Sequence, residues 1–421
     1  MIMPKYYILT IGCQMNKAES ERLGGYLEQD GYQAVARPEE ADLVVLNSCV
    51  VRQSAENRVI GRLNALKSVK RSKPDLTLAV TGCFVDSETG RLRERFPHVD
   101  YFFKPGEPPP WLAPAESRPM IPRQPAPATF VPIIQGCNNF CAYCIVPYRR
   151  GREKSRPASE VVGEVQELAC LGVREVTLLG QNVDSYGRDL VGKPDLAFLL
   201  GELNAIEGIE RIRFLTSHPR DMSSRLIEAV ASLDKVCEEI SLPVQSGSNA
   251  ILKAMRRGYT VERYCELITE IRLKIPGIAL STDVIVGFPL ETEAQFQETC
   301  DLLSGLRFDK VHVAVYSPRP GTIASRDLVD NIPLAEKKAR LSQIEKLQER
   351  IAGEINTGLL DKTVEILVEG RHKGKWQGRT RTGKLVFFHS NDNYLGQLLK
   401  VNITKVSPWA LQGNLETGSS S

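Results

Sequence analysis

No apolar stretch in this chain reaches the roughly 18 residues that a membrane-crossing helix requires, although 42% of its 421 residues are hydrophobic. The opening segment Met1–Tyr7 lacks the apolar core of a secretory signal. Both absences lead to the expectation of a cytoplasmic protein with no membrane partner. A large charge of one sign is also missing, since 54 Lys and Arg face 51 Asp and Glu for a net charge of +3. A polyanion partner would therefore have to be met locally. One such place is the end of the chain: from Asn356 onward nine Lys and Arg stand against five Asp and Glu. Disulfides are not expected in a cytosolic protein, so ten cysteines point to metal binding or catalysis.

A chain of 421 residues suggests about three domains. Over residues 1–104 short strands (Tyr6–Ile11, Leu43–Leu46, Leu76–Val80) alternate with helical patterns (Asn16–Asp30, Ser54–Val69, Ser87–Phe96), as in a parallel α/β domain. Residues 105–129 are a proline-rich linker, with nine prolines from Pro105 to Pro127. Residues 130–354 resume the alternation in longer units. Strands are expected at Phe130–Gln135, Glu175–Leu179, Arg211–Leu215, Glu239–Leu242, Ile278–Val286 and Lys310–Val315. Six strand–helix repeats suit a partial (β/α)6 barrel with its chemistry at the carboxyl ends of the strands. Residues 355–415 read as a small antiparallel β-barrel of four strands, Thr363–Val368, Trp376–Thr380, Leu385–Phe388 and Leu398–Val406. Leu415 and residues 416–421 read as a tag remnant.

The most specific signal is Cys137, Cys141 and Cys144 in the run C-N-N-F-C-A-Y-C, directly behind a strand and Gly136. Three thiolates on one short loop can hold three irons of a cubane cluster and leave the fourth open. A closed zinc site is the alternative, but it requires four ligands. No fourth Cys or His follows closely, the next cysteine being Cys170.

A second set comprises Cys13, Cys49 and Cys83, each placed just after a predicted strand, in G-C-Q-M-N, L-N-S-C and T-G-C. In a parallel sheet the carboxyl ends open onto one crevice, so residues far apart in sequence would converge there. Three cysteines packed as apolar core residues are the alternative. Cys170, Cys237, Cys265 and Cys300 show no comparable spacing and receive no role.

The cysteine loop resembles that of the radical S-adenosylmethionine (SAM) superfamily. With the three-cysteine domain before it and the small barrel after it, the chain resembles the methylthiotransferases over essentially its full length. Leu178–Gly187 (L-L-G-Q-N-V-D-S-Y-G), Leu242–Ser248 (L-P-V-Q-S-G-S), Thr282–Pro289 (T-D-V-I-V-G-F-P) and Tyr316–Thr322 (Y-S-P-R-P-G-T) carry the likeness further, and the last domain is similar to a TRAM module. One departure is Leu290, where the family usually has glycine in G-F-P-G-E-T. Within the family, G-C-Q-M-N and L-G-Q-N-V-D-S-Y-G are similar to the branch that acts on isopentenylated adenosine beside the tRNA anticodon. Sibling branches act on threonylcarbamoyl-adenosine or on an aspartate of a ribosomal protein. A zinc-bearing RNA-binding scaffold is the rival from another class.

The resemblance implies two 4Fe-4S clusters, one on Cys137, Cys141 and Cys144 and an auxiliary one on Cys13, Cys49 and Cys83. It implies SAM on the open iron of the first, cleaved by one electron to a 5′-deoxyadenosyl radical. Tyr143, Gly180, Gln181, Asn182, Ser241, Gln245, Asp283 and Ile285 are candidates for lining the SAM pocket. The expected partners are the anticodon stem-loop of tRNA, a low-potential electron donor such as flavodoxin or ferredoxin, and a sulfur source; the chain is expected to be a monomer. Two basic segments are candidates for holding RNA through phosphates and stacking. The first is Arg149, Arg150, Arg152, Lys154 and Arg156; the second is Arg371, Lys373, Lys375, Arg379, Arg381 and Lys384, with Trp376 among them.

Overall fold

The computed structural model describes residues 3–49, 53–85, 89–105, 107, 109–112, 121 and 125–416. The first region is a parallel sheet in the order Gln33–Ala34, Lys5–Ile11, Leu43–Ser48, Thr77–Gly82, Tyr101–Phe102. Its central strand, Leu43–Ser48, is buried along its whole length, its apolar run Leu43–Leu46 packed on both faces. Val44 and Leu46 meet Val59, Leu63 and Leu66 of helix Gln53–Ser72 on one face. Leu43 and Val45 meet Leu23, Tyr26 and Leu27 of helix Gln14–Gln29 on the other.

Six parallel strands build the second region: Ala128–Pro132, Glu175–Leu179, Arg211–Phe214, Glu239–Ser241, Ala279–Val286 and Lys310–Val315. They hydrogen-bond as two sheets of three, joined through a bridge between Ile212 and Val236, and one apolar core runs through both. The expected strand Phe130–Gln135 is split. Ile134–Gln135 leaves the barrel sheet and pairs antiparallel with Lys154–Ser155, which turns the chain toward the cysteine loop. Helix Leu334–Thr357 packs beside the edge strand Lys310–Val315, where Gln348 donates to the carbonyls of Phe308 and Asp309 at 3.1 Å each.

The described parts of the proline-rich segment are packed rather than free. Trp111 lies against the rings of Tyr101 and Phe103 at 4.9 and 5.7 Å, and Ile121 enters the barrel core.

The third region is a closed five-stranded barrel in the order Thr363–His372, Lys375–Thr380, Leu385–Phe388, Leu411–Leu415, Leu398–Val406. The fifth strand corrects the four-strand expectation. Leu411–Leu415 pairs parallel with Leu385–Phe388 and antiparallel with Leu398–Val406, so Leu415 belongs to the barrel and removes its open edge. Residues 417–421, read as a tag remnant, lie outside the described residues.

This barrel docks on the amino-terminal ends of the large barrel's strands. Arg211 donates to the Arg379 carbonyl at 2.7 Å and to Glu365 at 2.9 Å. Arg213 donates to the carbonyls of Thr380 and Arg381 at 2.7 Å each, and to Glu175 at 2.9 Å. Both guanidiniums are almost fully buried, and each is matched by carboxylates and carbonyls, which buried charge requires. The opposite ends of the strands are left for chemistry.

Candidate functional site

Gly136 precedes the cysteine loop with φ +80°, and a Cβ there would lie 2.0 Å from the Arg152 carbonyl oxygen, so only glycine fits. Its N–H donates to Gln181 Oε1 at 2.6 Å. The loop is tied down along its length: Cys137 N donates to the Gly151 carbonyl at 3.2 Å, Ala142 N to the Met255 carbonyl at 2.9 Å, and Ala324 N to the Ala142 carbonyl at 2.7 Å. Arg257 donates to Cys141 Sγ at 3.3 Å and to the Pro243 carbonyl at 2.9 Å, while Tyr259 receives its Nε at 3.0 Å. Burial pushes the Cys137 thiol up to about 11 and that of Cys144 to about 12.

Beside the loop lies a buried polar network. Asn182 donates to Asp221 at 2.8 Å, and Asp184 accepts from Ser217 Oγ at 2.8 Å and from the His218 backbone at 3.0 Å. Burial lifts the Asp184 carboxyl to about 7 and lowers His218 to about 3, which keeps that imidazole neutral. Asn182 Oδ1 and His218 Nε2 are buried and meet no protein partner among the described residues, as expected where a polar ligand completes a site.

The second cysteine set stands where parallel strands end together. Cys49 N donates to the Ile11 carbonyl at 2.8 Å and Cys83 N to the Ser48 carbonyl at 2.7 Å. A hydrogen bond from Cys49 draws the Cys13 thiol down to about 6 and that of Cys83 to about 7, so Cys49 lies beside both of the other two. Amides hold the frame: Asn16 Nδ2 donates to Asn47 Oδ1 at 2.9 Å, and Asn47 Nδ2 returns a bond to the Asn16 carbonyl at 2.9 Å. Gly82, at φ +91°, has the Ser48 carbonyl oxygen 2.2 Å from where its Cβ would be.

Both sets supply three free thiols, the donor chemistry of a cubane with one open iron. Among the described residues no three His, Cys, Asp or Glu converge as ligands of one metal ion do.

The other predicted residues divide. Tyr143 and Ile285 each pack against the apolar cluster behind the loop, which includes Ala142, Met255 and Phe288. Gly180 leaves room for Ile134, whose Cγ2 is 2.4 Å from where a Cβ would be, and Gln181 braces Gly136. Gln245, at φ +74°, exchanges backbone bonds with Asp283 and Ile285 at 2.8 and 3.0 Å. Ser241 ends the fourth barrel strand and is half-buried.

Four RNA assignments need correction. Arg150 is buried against Cys83 and Glu19. Arg381 forks onto Glu238 at 2.7 and 2.9 Å and donates to the Val236 carbonyl at 2.7 Å, so it serves domain docking, as does Lys384 on Asp309 at 2.8 Å. Trp376 is a core residue, its Nε1 donating to the Asp392 carbonyl at 3.0 Å and its ring capped by Arg371 at 4.2 Å. Arg156 is engaged by Glu164 at 2.6 Å. Arg152, Lys154, Arg371, Lys373 and Arg379 are exposed, Arg379 being 3.3 Å from Glu369; Arg149 and Lys375 are half-buried.

Sequence reasoning missed Arg257, Asp184, His218 and Asp221. Arg257 lies 116 residues beyond Cys141, and no spacing signals that contact.

The chain matches the Radical SAM superfamily over residues 131–303, the TRAM domain over 360–415 and the uncharacterized protein family UPF0004 over 5–104. A radical SAM methyltransferase from Kitasatospora setae, solved with cobalamin and a 4Fe-4S cluster, shares the fold, with a TM-score of 0.58, 14% identity and 77% of each chain covered. The fold and the cysteine loop define a radical SAM protein with an appended TRAM domain, a class that uses an iron–sulfur cluster and SAM. The tRNA-2-methylthio-N(6)-dimethylallyladenosine synthase of Dehalococcoides mccartyi (strain CBDB1) is 54% identical over 413 residues, covering 98% of this chain and 99% of that one. That of Roseiflexus sp. (strain RS-1) is 48% identical over 425 residues, covering 98% and 89%. The chain belongs to the family of tRNA-2-methylthio-N(6)-dimethylallyladenosine synthases.

Proposed function

We propose that this protein replaces the C2 hydrogen of N6-isopentenyladenosine, beside the tRNA anticodon, with a methylthio group. The observation that carries the reading is the presence of two three-thiol sites in one interdomain region, linked by Arg150. The C2–H of adenine is not acidic and has no leaving group beside it, so polar substitution has no easy path; hydrogen-atom removal does. Cys137, Cys141 and Cys144 would hold one 4Fe-4S cluster and Cys13, Cys49 and Cys83 a second. When bound, these clusters and SAM supply an electron, a carbon radical that removes hydrogen, and sulfur with a methyl group.

The chain's own residues shape that chemistry. Gln181 and Met255 fix the loop that presents three sulfurs, and Arg257 donates to one of them. Apolar packing of Ala142, Met255, Phe288 and Tyr316 keeps water from the back of the loop. Asn182 and His218 present an unpaired acceptor and a neutral imidazole for a polar ligand. Exposed Arg152 and Lys154, just beyond the loop, are placed to meet phosphates, and Arg371, His372 and Lys373 form the exposed hairpin tip of the small barrel. No helix among the described residues is long and apolar enough to cross a membrane. A cytoplasmic setting, a flavodoxin- or ferredoxin-like donor, a sulfur source and a monomeric state complete the proposal.

Nucleoside mass spectrometry of isopentenylated tRNA, after incubation with anaerobically reconstituted protein, SAM, sulfide and reductant, tests it. The methylthio-isopentenyl nucleoside is the expected product. Its absence, in protein that carries both clusters and cleaves SAM, would refute this substrate and direct the test to threonylcarbamoyl-tRNA.

A further inference from the structure

Short helix Val146–Arg150 leaves the cysteine loop directly after Cys144 and ends by sending a side chain into the neighbouring domain. Arg150 Nε donates to Cys83 Sγ at 3.1 Å, and its Nη1 and Nη2 fork onto the carboxylate of Glu19 at 2.5 and 3.2 Å. The Arg150 side chain is 2% exposed and that of Glu19 is 17% exposed, so water does little to screen them. Glu19 stands on helix Gln14–Gln29, whose first turn follows Cys13. The guanidinium thus spans from one three-cysteine loop to a sulfur of the other set, and a domain-spanning fork holds its plane. Fork geometry of this kind belongs to arginine and not to lysine, whose ammonium is a single point charge.

We propose that Arg150 is a positioning residue of the N-terminal three-cysteine site: it holds a permanent hydrogen-bond donor on the Cys83 sulfur and thereby raises the reduction potential of the cluster bound there. The inference rests on the reading that Cys13, Cys49 and Cys83 hold a cluster. Its physical basis is that reduction adds negative charge to the iron–sulfur core, and a donor on a ligand sulfur stabilises the more negative state. The role differs from RNA binding, which the burial of Arg150 precludes.

The test uses the full chain with Cys137→Ala, Cys141→Ala and Cys144→Ala, so that only the N-terminal set can be loaded with iron and sulfide. In that background Arg150→Met is combined with Glu19→Gln. The pair removes one positive and one negative charge together, which leaves the loss of the donor as the main change. Iron content and an EPR-monitored redox titration are measured. The expected result is full iron uptake with a midpoint potential shifted to lower values than in the parent. An unchanged or higher potential overturns the inference while the cluster assignment stands. No iron uptake by the parent overturns both. Should the double variant fail to fold, Arg150→Lys reads the same quantity: a smaller downward shift supports the inference and no shift overturns it.

Discussion

Cys137, Cys141 and Cys144 come from eight consecutive residues, whereas Cys13, Cys49 and Cys83 are drawn from three strand ends spread over 71 residues. The loop set needs a local backbone path, set by Gly136 and braced from outside by Gln181, Met255 and Arg257. The strand-end set needs the register of a whole sheet, because each cysteine is placed by a different strand. Their supports differ in chemistry as well. Ionisable groups surround the loop network, with Asp184, His218 and Asp221 in contact. Around the other set the frame is Asn16, Asn47, Ser20 and Ser48, which do not titrate. Each set nevertheless has one buried guanidinium on one sulfur, Arg257 on Cys141 and Arg150 on Cys83. A charged donor on a cysteine sulfur is a solution both architectures share.

The largest expected effect separates the sets outright. Cys137→Ala should abolish formation of 5′-deoxyadenosine. Cys13→Ala should leave SAM cleavage in place and abolish the methylthio product. Chromatography of the deoxyadenosine and of the tRNA nucleosides checks both, and surviving SAM cleavage in Cys137→Ala would sink the role given to the loop.

Next come the two glycines. Alanine at Gly136 or Gly82 meets a backbone carbonyl and an unfavourable φ, so each should cost about 3 kcal/mol or more. The consequences should diverge. Gly136→Ala should reduce iron at the loop with a modest change in Tm, since a loop can yield locally. Gly82→Ala disturbs a central sheet contact and should lower Tm by more. Equal shifts in Tm would show that the loop is as cooperative with its domain as the sheet is.

A third experiment uses the titration contrast. Buried Asp184 holds its proton up to about 7 against an ordinary 3.8, so it binds the proton more tightly folded than unfolded. Its contribution therefore falls as pH rises between those two values and is flat above them. His218, depressed from 6.5 to about 3, contributes the opposite slope, so the difference between chains isolates Asp184. Relative to wild type, Asp184→Asn should gain on the order of 2 kcal/mol from about pH 5 to about pH 8. Thermal melts at both pH values check this, and a constant difference would mean that Asp184 is ionised throughout.

The smallest effect lies in the turn after the fifth barrel strand. Leu290 is exposed and sits at φ +70°, so the leucine adopts a backbone conformation that favours glycine. Leu290→Gly should stabilise the protein by about 1 kcal/mol, read as a rise in Tm, with no change in iron content at either site.

Much of this was legible in the sequence where short-range rules operate. The apolar run Leu43–Leu46 announced a strand, which the structure extends to Ser48. Strand Leu411–Leu415 was missed because it is short and its run Leu-Gln-Gly-Asn-Leu has weak strand character; its place comes from closing a barrel against partners elsewhere in the chain. The basic residues were the least legible. Arg150, Arg381 and Lys384 read as RNA contacts by composition, yet all three are committed to carboxylates of other regions. Charge alone does not distinguish a side chain facing solvent from one spanning a domain boundary.

By itself the sequence determined the alternation that makes two parallel α/β regions and a small barrel, and the spacing that sets three thiols on one loop. These depend on neighbours within a few residues, through apolar periodicity, backbone φ and ligand reach. Only the tertiary structure decided that Arg150 meets Cys83, that Arg257 meets Cys141, and that the small barrel docks on the amino-terminal ends of the large barrel's strands. Such contacts join residues more than 60 positions apart, and their partners are chosen by packing and by the need of a buried charge for a counter-charge, neither of which leaves a local pattern in the chain.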